Sequence, residues 1–130
     1  MFQILGTDDA VNACDCCGKS GLKRTVVVLV DGETLHYGST CATRHTGLTG
    51  KEITAEIKAA RDGRVAAATK ELRGSAEYLA LEARLAEARR AGVAPGRAFK
   101  DFVAATAAEE RRKRAELAER FGLSPAELVA

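Results

Sequence analysis

All four cysteines and both histidines of this 130-residue chain lie before residue 46, and their spacing is the first feature that could do chemistry. Cys14 and Cys17 have two residues between them, Cys41 and His45 three, and 23 residues separate the two pairs. Two thiols that close together in a tight turn converge on one ion, and a cysteine and a histidine at i, i+4 share one face of a helix. Three thiolates and an imidazole make a tetrahedral donor set suited to Zn²⁺, so one structural zinc on Cys14, Cys17, Cys41 and His45 is expected. Cys16 is the surplus. It can replace Cys14 or Cys17 as a donor or stand as a free thiol, and the free thiol is preferred because the CxxCGK pattern uses its outer cysteines.

Other chemistries fit the same residues less well. A phosphate-binding loop needs a glycine five positions before Gly18, where Ala13 stands, and Lys19-Ser20 runs into Gly21 and a strand-like segment rather than a helix. A thioredoxin-like CxxC opens a helix, which Gly18 and Gly21 disfavour. A catalytic zinc keeps one position open for water, whereas this set fills all four. His36 invites comparison with an HNH-type nuclease, but the hairpin and helix that would carry the remaining residues contain no asparagine. No enzyme is expected, and His36 reads as a half-exposed strand residue.

The elements that must position these donors follow from the residues between them. TVVVLV (25–30) and ETLHYG (33–38) flank Asp31-Gly32, a dipeptide that accepts positive φ at both turn positions and so marks a two-residue hairpin. That turn sets a register in which Val28 pairs with Leu35, Val26 with Tyr37 and Val27 with His36. The hairpin carries the chain from the first pair of donors to the second, which opens a short helix at Cys41.

The knuckle Cys14-Asp15-Cys16-Cys17-Gly18-Lys19, the hairpin, and Gly38-Ser39-Thr40-Cys41 entering a helix together resemble a treble-clef zinc finger. Similar CxxCGK…YGSxCA segments occur in small proteins of actinobacteria and their phages. The resemblance covers residues 1–47 at most. It implies a structural zinc held by two knuckle cysteines and two donors at the helix start, by position Cys14, Cys17, Cys41 and His45. Treble clefs bind nucleic acid or protein, and some carry nuclease chemistry, so the fold leaves the function open.

Beyond the head, the composition turns to Ala, Glu, Arg, Lys and Leu. Thr49-Gly50-Lys51-Glu52 is a capping box with Leu48 and Ile53 as its staple, and Ile53, Ile57, Ala60, Val65, Ala68 and Leu72 follow as an apolar stripe. Gly63 is a weak point and Gly74 a break. A second helix is expected from Ser75 to Gly92, and a third with Pro95 as its first residue, running to Gly122 on Phe99, Phe102, Val103, Leu117 and Phe121. Ser124 to Glu127 repeats the capping box for a last short helix. The expected architecture is α+β: a treble-clef head at 1–48, made of a β-hairpin and a short helix, then a helical hairpin or small bundle at 49–130.

A net charge of +2 does not by itself imply a polyanionic partner. Residues 1–46 hold four basic side chains against five acidic ones, so any nucleic-acid binding must come from local arrangement. Lys19, Lys23, Arg24, Arg44 and Lys51 cluster in sequence around the donors, which favours DNA or RNA as partner. The sparse aromatics favour instead a protein partner or self-association through the helices. The run Arg111-Arg112-Lys113-Arg114 reads as a solvated helix face with Glu109–Lys113, Glu110–Arg114 and Glu116–Arg120 as i, i+4 pairs. No stretch has the apolar length of a membrane helix and the N-terminus lacks a secretory pattern, so a reducing cytoplasm is the expected compartment.

Overall fold

The computed structural model describes residues 1–128. It divides into two compact units, Met1–Gly63 and the chain from Arg64 onward. The first unit is built on a three-stranded antiparallel sheet of β1 (Phe2–Asp8), β2 (Thr25–Val30) and β3 (Glu33–Tyr37), in that order. Strand β2 is central. Its β-branched run suits a strand paired on both sides, and Thr25 and Val28 are almost fully buried. The β2–β3 register is the one the turn specifies, with Val26 opposite Tyr37, Val27 opposite His36 and Val28 opposite Leu35. Asp31 and Gly32 both hold positive φ, 50° and 84°.

Strand β1 departs from the sequence expectation, which gave the head a hairpin alone. FQIL is too short to alternate clearly, and the pairing skips at Leu5, between Ile4 opposite Val28 and Gly6 opposite Val27. Tertiary pairing with β2, not local pattern, makes this segment a strand. The bulge still delivers Ile4 to the core with Val26, Val28, Tyr37, Cys14, Cys41, Ala42 and Ile53.

Helix α1 (Ser39–Thr46) starts from an extended Gly38 and stops at Gly47, whose φ of 73° suits a residue without Cβ. Thr49 and Glu52 then form the reciprocal capping box, each backbone N–H donating to the other's side chain at 3.2 Å. They open α2 (Gly50–Arg73), whose Ile53 and Ile57 pack into the head core beside Leu48. These contacts carry the first compact unit past residue 48.

In the second unit, Ala68 and Leu72 of α2 pack with Leu117, Ala118 and Leu128, and Tyr78, Phe121 and Leu123 close around them. Gly63 leaves α2 continuous, whereas Gly74 ends it and Ser75 caps α3 (Ala76–Arg90) by accepting the Tyr78 N–H at 3.2 Å. Helix α4 spans Arg97–Phe121. Pro95 lies before it rather than inside it, because Gly96, at φ 132°, takes the cap position. Ser124 and Glu127 close their box around a single 3₁₀ turn, Pro125–Glu127.

The charged middle of α4 is less solvated than its composition implies. Glu110 is buried and accepts from Arg114 at 2.6 and 3.0 Å, and Arg114 also donates to the Leu128 carbonyl. Of the expected pairs only this one forms at i, i+4. Glu109 joins Arg112, Lys113 joins Glu116, and Arg120 reaches Glu71 on α2. No described helix is long and apolar enough to cross a membrane.

Candidate metal centre

The knuckle is a closed loop before it is a ligand set. Asn12 brackets it, its carbonyl accepting the Leu22 N–H at 3.0 Å and its side-chain amide donating to the Leu22 carbonyl at 2.9 Å. Inside, Cys14 N–H donates to the Lys19 carbonyl and Gly18 N–H to the Cys14 carbonyl, both at 2.9 Å. Gly18 and Gly21 hold φ of 74° and 72°, the two turns where a side chain would be strained. The loop is fastened to the outer side of β3 by Asp15, whose N–H donates to the His36 carbonyl and whose carboxylate accepts the His36 N–H, each at 2.7 Å.

These elements bring the Sγ atoms of Cys14, Cys17 and Cys41 within 4.8 Å of one another. Cys14 and Cys41 are buried, Cys17 is exposed, and none is in a disulfide. Zn–S bonds of about 2.3 Å put tetrahedral sulfur donors about 3.8 Å apart, a spacing that a triangle within this limit accommodates. Three thiols from a tight turn and a helix N-terminus suit a soft or borderline cation.

The electrostatics already separate the thiols. Burial pushes Cys14 up, but the N–H groups of Cys17, Gly38 and Cys16 and the Cys41 thiol together outweigh it and lower its pKa to about 6. Cys41 is pushed up to about 12, first by hydrogen bonding to Cys14, then by burial and by contact with Cys17 and Cys16. A thiolate at Cys14 accepts from a thiol at Cys41.

His45, the fourth expected donor, stands elsewhere in the arrangement. Its Nε2 is 2.9 Å from the Cys16 sulfur, and its ring stacks on Tyr37 with centroids 4.9 Å apart and planes 11° from parallel. The three cysteines form the close group without it. Tyr37 is buried, and its pKa is raised by burial and then by the negative charge of Cys16, Asp15 and Cys14.

Residue reasoning missed Asp15 and Asp8. His36 lies between them, Nε2 at 3.3 Å from the Asp8 carboxylate and Nδ1 at 3.8 Å from that of Asp15. An aspartate inside a CxxC loop facing a polar strand residue was the available signal, and it becomes legible only once the loop is folded against β3.

The expected nucleic-acid residues divide. Lys23 and Arg24 line a cleft of about 530 Å³ whose walls include Thr7, Ser39, Thr43 and Thr54 over a floor of Leu22, Val26, Ile53 and Ile57. Lys19 lines a small cleft of about 80 Å³ with Cys14, Cys17 and Cys41. Arg44 on α1 and Lys51 in the first turn of α2 are exposed and line neither. No family model matches the chain, and no similar curated protein or solved structure was found.

Proposed function

We propose that the first unit is a non-catalytic zinc module of treble-clef type that binds nucleic acid beside its metal. The convergence of Cys14, Cys17 and Cys41 from the knuckle and α1 carries the metal half of this reading. Those three would hold Zn²⁺ with a fourth donor from the Cys16–His45 pair. Bound there, the ion supplies a cross-link between loop and helix, the role of closed structural sites. What the chain's own residues do is present a surface. Lys23 and Arg24 supply cations to the Leu22–Ile57 cleft, and the Ser39 hydroxyl supplies a hydrogen-bonding group to it, while the Thr43 and Thr54 hydroxyls donate to helix carbonyls. Point charges beside a hydroxyl suit phosphate, where they fix register without reading sequence.

The test is salt dependence. Log affinity for nucleic acid should fall with log salt by about 0.9 per phosphate contacted, and Lys23→Ala and Arg24→Ala should each flatten that slope by about one contact. Arg112→Ala should leave it unchanged, since Arg112 pairs with Glu109 on α4. If no salt-dependent binding to DNA or RNA appears at low ionic strength and light scattering finds a dimer, a self-associating adaptor replaces this reading. One observation favours that second reading: Leu79 on α3 is 56% exposed, and a shallow cleft lined by Ala76, Ala80, Ala105 and Thr106 lies in the same unit.

A further inference from the structure

We infer that Cys16, and not His45, supplies the fourth donor of the metal centre, and that His45 acts from outside it by holding the Cys16 sulfur. The inference rests on the zinc reading above and reverses the roles that spacing alone assigns to the two residues. Two observations carry it. The Cys16 sulfur is 2.9 Å from His45 Nε2, a hydrogen-bond contact. Two donors on one tetrahedral zinc stand about 3.5 Å apart, so this contact is that of a ligand and its outer partner rather than of two ligands. Finally, stacking on Tyr37, itself only 7% exposed, fixes the imidazole plane and aims its Nε2 edge at Cys16. Cys16 stands outside the close group of three, and its exposed side chain turns inward to join it when metal binds. With the sulfur on the metal as thiolate, Nε2–H donates to it, the part outer histidines and amides play in setting a ligand's orientation.

The full-length protein loaded with Co²⁺ decides the matter, because thiolate-to-cobalt charge-transfer absorption scales with the number of sulfur donors. Cys16→Ser should lose about a quarter of that intensity, one donor of four. His45→Gln should keep the four-sulfur spectrum while affinity drops roughly 10- to 100-fold, the usual cost of removing an outer partner. A three-sulfur intensity in the unaltered protein that Cys16→Ser leaves unchanged overturns the assignment and leaves the zinc reading standing. Failure of the unaltered protein to bind either Co²⁺ or Zn²⁺ overturns both. A readout that needs no variant is maleimide labelling of the native zinc-loaded protein: protection of all four cysteines supports the assignment, and rapid labelling of one refutes it.

Discussion

Between them, Cys14, lowered to about 6, and Cys41, pushed up to about 12, hold one proton through the neutral range. A metal must displace protons from its ligands, so the two thiols contribute to pH dependence in different windows. Cys14 is already a thiolate above about pH 6 and competes with metal only below it; Cys41 keeps its proton, and competes, at every pH up to about 12. Metal affinity should therefore rise with pH from 6 to 8, about tenfold per pH unit for each proton expelled, and steepen below pH 6 as Cys14 takes up its own. Competition titrations against a metal indicator at pH 5.5, 7 and 8 check the sign, and an affinity flat across that range would contradict the shared proton. Asp15, the residue after Cys14, ties the same knuckle to the sheet. It reaches β3 through a charge-assisted bond from the His36 N–H, and it faces His36 Nδ1.

At the scale of elements, that bond is what places the knuckle. Asp15→Ala removes the carboxylate acceptor and leaves the knuckle fastened to β3 by a single hydrogen bond, from the Asp15 N–H to the His36 carbonyl. Because Asp15 is exposed, the stability cost should be about 1 kcal/mol, toward the low end for a charged acceptor. The larger effect should be a metal affinity lowered about tenfold, as a loosened outer contact gives. Asp15→Asn, which keeps an acceptor oxygen, should restore most of it. Equal losses in both variants would mean that charge matters and the hydrogen bond does not. The hairpin, its register, α1 and both capping boxes were legible in the sequence because each depends on residues within a few positions: Asp31-Gly32, Val26 to Tyr37, Thr49 with Glu52. Strand β1 was not, since Phe2–Asp8 becomes a strand only against β2, 17 or more residues away. The three-cysteine convergence followed from spacing. The contact of His45 with Cys16 did not, because i, i+4 spacing fixes which face a side chain shares and says nothing about which sulfur it meets.

For the whole molecule, the first unit has more core than its cysteine-bearing segment alone provides. Ile4 comes from β1 and Ile53 from α2, and both join the buried cluster. Metal is thus expected to organise part of this unit rather than to fold all of it. On adding chelator, hydrogen exchange should quicken over residues 14–22 and 38–45, while the amides around Leu72 and Leu117, in the other compact unit with its own core, keep their protection. Loss of protection throughout would mean that the two units do not unfold separately. The sheet also bears on how this chain behaves beside its own copies. An antiparallel sheet offers unpaired backbone groups along both outer strands, the template on which chains stack into fibres. Here Asp15 occupies the outward N–H and carbonyl of His36 on β3, and on the opposite side the skip at Leu5 breaks the straight run of β1. The loop that gathers the thiols is therefore also a guard on one flank of the sheet, and the bulge blunts the other, so a chain with a continuous valine strand at its centre is built to resist growing by strand addition.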